Sequence, residues 1–203
     1  MSKKILILLL AITSFASVAY IIIRFEERKH ILSIYQVKTD SLEKALSSTQ
    51  YQLADYRDRM KIGYENEATM IDSRTIVVVD GKEKQLLAFK RKCLFVRIST
   101  SNCWSCIKSI STYINNHVDR DINIVYLMDA PIVSIASDLI TYAELKRPVY
   151  LTKREINLPV ESIGEPYMFY INEKEMACMV LMPIKGDDYL LDLYFNTLKN
   201  KIK

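Results

Sequence analysis

The sequence predicts an α/β domain, a mixed sheet flanked by helices, set behind a long helical arm. Three patterns carry that reading. Strand-like and helix-like segments alternate from Ser73 to Lys203, a polar turn joins two strand-like runs late in the chain, and no Pro or Gly interrupts residues 28–60. Strands separated by helices favour parallel neighbours, and a short turn between two strands requires an antiparallel pair, so the sheet has mixed direction. The 203 residues allow one ordinary domain of roughly 100–150 residues plus an accessory segment. The expected boundaries are 1–24 for a transmembrane signal anchor, 25–61 for a helical stalk, 62–72 for a connector and 73–203 for the α/β domain.

Residues 5–23, ILILLLAITSFASVAYIII, carry no charge. A helix of that length covers most of a bilayer core about 30 Å thick. Lys3 and Lys4 precede the run and Arg24 closes it. The expectation is an uncleaved anchor and a single-pass membrane protein. The competing reading is a cleaved signal peptide, with Ser17 and Ala19 as the small residues before the cut. Flanking charges nearly balance, Lys3 and Lys4 with the amino terminus against Arg24, Arg28 and Lys29, so they do not orient the chain.

Leu32, Tyr35, Thr39, Leu42, Leu46, Thr49, Leu53, Tyr56 and Met60 then recur at alternating spacings of three and four, which is a heptad seam. Charges of both signs lie between the seam positions, as on the solvated flanks of a coiled coil. Two readings follow: a stalk that dimerises as a coiled coil, or one amphipathic helix packed on the domain. Gly63 is expected to end the helix.

In the domain, Thr75 to Val79 is a β-branched run closed by the turn pair Asp80-Gly81, and Leu94 to Ser99 is a second strand. Cys106 to His117 carries Ile107, Ile110, Tyr113 and Ile114 at helical spacing, and Ile122 to Met128 returns to strand character. Residues 132–145 read as helix and Val149 to Thr152 as a short strand. Pro166 introduces the strand Tyr167 to Ile171, which a turn at 172–174 joins to Met176 to Met182 as an antiparallel hairpin. Tyr189, Leu190, Leu193, Tyr194, Leu198 and Ile202 mark a final amphipathic helix.

The chemistry concentrates at Cys103-Trp104-Ser105-Cys106, directly after the strand 94–99 and at the start of a helix. Unpaired N–H groups and the macrodipole at a helix N-terminus favour a thiolate, which lowers the pKa of the first cysteine and makes it a nucleophile towards disulfides. The second cysteine lies one turn along the same face and can resolve a mixed disulfide by forming an internal bridge. Cys93 and Cys178 read as small apolar fillers of strands, with a second disulfide between them left open.

This motif after its strand, the preceding VVVDGKEKQLLAFKRKCLFVRI and the later stretch from Gly164 to Lys174 together resemble the thioredoxin fold. More narrowly they resemble the membrane-tethered thiol-disulfide oxidoreductases that serve bacterial cytochrome c maturation. The resemblance covers about 130 residues, from Thr75 to Ile202, and implies a thioredoxin-like sheet entered through an added hairpin. It implies Cys103 as the attacking thiol, Cys106 as the resolving thiol, Pro166 as a cis-proline facing them, and Glu165 offering backbone groups to an extended substrate. Trp104 and Ser105, between the cysteines, complete the expected substrate-contacting set. One departure stands out. Many relatives carry a buried acid on the strand before the motif, whereas this chain has Arg97, either turned towards the thiols or lying as a solvated strand-end charge.

Other chemistries find little support. The net charge of +4, from 28 basic against 24 acidic residues, forms no clustered basic face for phosphate backbones, so no nucleic-acid partner is expected. His30 and His117 make no ligand pair with the cysteines, and neither metal nor cofactor is expected. No Gly-rich phosphate loop or nucleophile elbow is present. The function expected is thiol-disulfide exchange with protein thiols or disulfides, on the non-cytoplasmic side of a membrane, with a redox partner that recharges the pair. A periplasmic or other extracytoplasmic domain follows from that compartment logic. The rival is a non-catalytic, membrane-anchored adaptor whose disulfide is structural.

Overall fold

A computed structural model describes residues 3–90, 93–129, 133–153 and 155–202, the side chains of 3–11, 133, 134 and 202 excepted. The chain divides into two compact units, Met1–Asp55 and Tyr56–Lys203. The first is helical throughout its described residues and belongs to α1 (Lys3–Asn66), whose last turns lie in the second. In the first unit the seam residues Leu32, Tyr35, Leu42, Leu46 and Leu53 are exposed.

The expected membrane anchor is corrected. Among the described residues no helix is long and apolar enough to cross a membrane. The uncharged run closes at Ile23. Arg24, Glu26, Glu27, Arg28 and Lys29 follow at once. The single-pass membrane localisation falls with the anchor, and the extracytoplasmic placement of the domain loses that support; the side chains of residues 5–11 lie outside the described residues, as do Met1 and Ser2.

The second unit holds β1 (Ile76–Val79), β2 (Lys82–Gln85), β3 (Leu94–Ser99), α2 (Trp104–His117), β4 (Ile124–Asp129), α3 (Val133–Ala143), β5 (Val149–Thr152), β6 (Tyr167–Ile171), β7 (Ala177–Leu181) and α4 (Asp188–Ile202). Two 3₁₀ turns, Leu86–Phe89 and Pro159–Ile163, were not anticipated. Residue 132, expected to begin α3, lies outside the described residues. The strands form one sheet in the order β2-β1-β5-β4-β3-β6-β7. β3, β4 and β5 run parallel, while β1 against β5, β6 against β3 and β7 against β6 run antiparallel.

Local chemistry explains these elements. Asp80 and Gly81 sit at φ 50° and 73° between the paired residues Val79 and Lys82, as a two-residue hairpin turn with positive φ at both positions demands. β2, Lys-Glu-Lys-Gln, is exposed along its length, and its charged side chains discourage this edge strand from pairing with other chains. β3 and β4 are buried on both faces, as parallel strands covered on both sides are. Leu94, Val96 and Ile98 pack with Ile107, Ile114, Leu139 and Leu198 on the face covered by α2, α3 and α4. Phe95 and Leu127 pack with Leu86, Val160 and Ile71 on the other.

Gly63 does not end α1, which runs on to Asn66. A Cβ at Gly63 would lie 2.7 Å from the Val180 backbone oxygen, so this glycine serves a close approach of the helix to β7. The chain turns away only after Asn66, whose buried side chain donates to the Ile62 carbonyl (2.8 Å) and accepts from the Val160 N–H (2.9 Å).

Candidate functional site

β3 ends at Ser99, the chain turns through residues 100–102, and Cys103 caps α2. Cys103 and Cys106 are joined in a disulfide with their Cα atoms 5.2 Å apart. Cys103 is exposed and Cys106 half-buried. The Cys103 sulfur accepts the Cys106 N–H at 3.3 Å, and the first turn of α2 contains no acid. The sulfur therefore occupies the N-cap position, where an oxygen side chain ordinarily satisfies the orphan amides and where negative charge is favoured.

The turn is braced from beneath. Asn102, 7% exposed, accepts the Ser99 N–H at 2.6 Å and donates to the Gly164 carbonyl, also at 2.6 Å. That second bond ties the dicysteine turn to the loop entering β6. Ser99 Oγ adds a 2.9 Å bond to Asp129 at the end of β4. Two strand ends and one loop are thus locked around the residues that precede Cys103.

Between the cysteines, the Trp104 indole N–H donates to the Thr100 carbonyl at 3.1 Å and its ring stacks obliquely on Tyr142, centroids 5.7 Å apart. Ser105 Oγ lies 3.3 Å from the Cys103 sulfur and receives a 3.0 Å hydrogen bond from Lys185, on the segment between β7 and α4. On the loop entering β6 Glu165 pairs with Arg59 of α1 at 2.7 Å, and Pro166 is buried.

Pro166 requires a correction. No peptide bond is cis among the described residues, so Glu165–Pro166 is trans. Trans is the intrinsically favoured state of X–Pro by about 0.5–1 kcal/mol, and here Tyr167 continues straight into pairing with Arg97 of β3.

Arg97 meets neither expectation. It is 6% exposed and its Nε lies 2.8 Å from Glu161 Oε1, a carboxylate as buried as itself. Its Nη1 donates to the Ile98 carbonyl at 3.1 Å. The second Glu161 oxygen accepts the Ile156 N–H at 2.7 Å, so the pair pins the loop that leads to Gly164. Cys93 and Cys178 are unbridged, the first buried and the second half-buried. Burial and, next, the charge of Glu67 raise the Cys178 thiol pKa.

The two cysteines lie at the strand-to-helix turn expected from the sequence, whereas Asn102, Glu161 and Lys185, which hold the residues around that turn, carry no such expectation. A turn-forming polar residue directly before the motif was a readable hint for Asn102. Glu161 and Lys185 come to β3 and α2 only through the path of the sheet.

The arrangement defines a thioredoxin-like domain: a β3-α2-β4 unit, then a β6-β7-α4 unit, with a dicysteine disulfide where the central strand meets its helix. No protein-family profile and no curated protein matches the sequence. Among solved structures, the thioredoxin domain of a thiol-disulfide oxidoreductase from Bacteroides vulgatus is 15% identical. That match covers 68% of this chain and 98% of that one, with a TM-score of 0.45. A thiol:disulfide interchange protein from a Bacteroides species is 13% identical, over 67% of this chain and 90% of that one, with a TM-score of 0.45. A secreted Mycobacterium tuberculosis disulfide oxidoreductase is 11% identical, over 62% and 96%, with the same TM-score. The fold assignment rests on strand order, strand direction and the placement of the dicysteine turn.

Proposed function

We propose that the protein is a thiol-disulfide oxidoreductase that exchanges disulfides with polypeptide thiols through Cys103 and Cys106. The observation that supports this most is the exposed Cys103 sulfur at the N-terminus of α2, already bridged to a partner one turn away. A structural disulfide gains nothing from exposure, whereas a nucleophile requires access and a stabilised thiolate.

In the reductive direction the Cys103 thiolate attacks one sulfur of a substrate disulfide, forming a mixed disulfide and releasing one substrate thiolate. Cys106, deprotonated, then attacks the Cys103 sulfur, which releases the second substrate thiolate and closes the 103–106 bridge. Two electrons pass to the substrate, and an external dithiol returns them to the pair. The reverse sequence oxidises substrate thiols. In this reading Glu165 and Pro166 form the wall opposite the cysteines against which an extended polypeptide lies, and Trp104 and Ser105 contact it beside the reacting sulfur. The exposed heptad seam of α1 supports pairing with a second copy of the chain as a coiled coil.

The test traps the intermediate. Reduced full-length Cys106→Ala, mixed with a peptide disulfide, accumulates a mixed disulfide at Cys103 that mass spectrometry reads, while the wild-type chain turns over and holds none. Failure of both to react with the peptide contradicts the proposal.

A further inference from the structure

We propose that Lys185 is a positioning residue for the exchange reaction, acting through the Ser105 hydroxyl on the Cys103 sulfur. The inference rests on the function proposed above and concerns residues that are distant in sequence. Lys185 Nζ lies 3.0 Å from Ser105 Oγ, and Ser105 Oγ lies 3.3 Å from Cys103 Sγ.

Donor counting sets the direction of this chain of contacts. An ammonium group only donates, so Ser105 Oγ is the acceptor from Lys185. The serine has a single O–H, and with one lone pair engaged by Lys185 that proton is left to point at the remaining neighbour, the Cys103 sulfur. A neutral disulfide sulfur is a weak acceptor. After reduction the same sulfur is a thiolate, and hydrogen bonds to an ionised acceptor are roughly twice as strong as neutral ones. The relay therefore favours the reduced, charged form of Cys103, adding to the Cys106 N–H and the helix dipole.

Other charges around the turn are engaged elsewhere. On α2, Lys108 pairs with Glu144; on the β6 loop, Glu165 pairs with Arg59; at the end of β4, Asp129 accepts from Ser99. Asp187 accepts the Leu190 N–H and the Tyr56 hydroxyl. Asp188, in the first turn of α4, is the remaining acid on the segment that carries Lys185. Removing Lys185 thus takes away an ammonium group whose hydrogen bond ends on a neighbour of the reacting sulfur, the one such group among the described residues.

The experiment measures iodoacetamide alkylation of Cys103 against pH in the reduced full chain, read peptide by peptide to separate it from the other thiols. In Lys185→Gln, alkylation below the thiol's apparent pKa slows about threefold to tenfold, the range one solvent-exposed hydrogen bond covers. Lys185→Arg restores most of the rate. Ser105→Ala slows it comparably, and Ser105→Ala with Lys185→Gln slows it no further than Ser105→Ala alone. An unchanged profile in Lys185→Gln overturns the proposal, and so does full additivity of the two substitutions, since the charge would then act without the serine. The readout needs no exchange reaction, so a shifted profile in a chain that forms no mixed disulfide condemns the proposed function and leaves the relay standing.

Discussion

Replacing Arg97 by methionine tests the most unexpected contact of the site's foundation. Methionine keeps much of the length and apolar stem but removes the charge 2.8 Å from Glu161. At an effective dielectric constant of about 20 the gross attraction at that separation is about 6 kcal/mol. Desolvation of both ions has already offset much of it, and breaking a buried pair from one side costs about 3–5 kcal/mol because the other charge stays behind. The substitution also strips a donor from the Ile98 carbonyl. For a folded unit of this size such a loss lowers Tm by roughly 6–20 °C. The assay is urea unfolding of the oxidised full chain followed by fluorescence of Trp104, the single tryptophan, whose ring packs on the α2 side of the core. Adding Glu161→Gln to Arg97→Met removes the stranded charge while keeping an acceptor for the Ile156 N–H, and restores at least about 1 kcal/mol. A loss below about 1 kcal/mol in the single variant, the range of an exposed ion pair, refutes the reasoning; so does a double variant no more stable than the single.

Three further outcomes are expected. Gly63→Ala destabilises the domain by about 1–3 kcal/mol in the same urea assay, because overpacking against the Val180 carbonyl outweighs a gain of about 1 kcal/mol in helix propensity; a net gain in stability would remove the close approach. Burial raises the pKa of the Tyr126, Tyr167 and Tyr194 hydroxyls above that of free tyrosine. The unfolded chain therefore loses these protons first, so their contribution to stability is complete below about pH 10 and falls as pH rises further. Phenolate absorbance from these residues appears only together with loss of circular dichroism, and earlier ionisation contradicts their burial. Leu42→Lys with Leu46→Lys converts a full-length dimer to monomer in sedimentation equilibrium; a wild-type chain already monomeric at micromolar concentration rules out the coiled coil.

The elements that were legible in the sequence are those that local rules specify. Asp80-Gly81 announced its hairpin through φ preference, α2 through the spacing of Ile107, Ile110 and Ile114, and the dicysteine turn through its place between strand and helix. What escaped was decided by tertiary approach. Gly63 looks like a helix terminator because glycine is a poor helix former, yet its missing side chain is needed by β7, not by the helix. Arg97 had no visible partner because Glu161 arrives from a 3₁₀ turn far along the chain. Lys185 carries no local signal, since only the course of the segment between β7 and α4 brings it to Ser105. The membrane anchor rested on an apolar run alone, and no described helix is long and apolar enough to cross a membrane; the cis-proline rested on a resemblance whose backbone detail this chain does not share.

Disulfide exchange at Cys103 is tested most directly by the equilibrium reduction potential of the Cys103–Cys106 pair in the full chain, read by thiol trapping across glutathione and dithiothreitol buffers. A pair that exchanges disulfides has a potential between about −120 and −270 mV, the range of known exchangers, and equilibrates rapidly. A bridge that stays closed below about −300 mV would mark a structural disulfide and contradict an exchange role for the exposed cysteine.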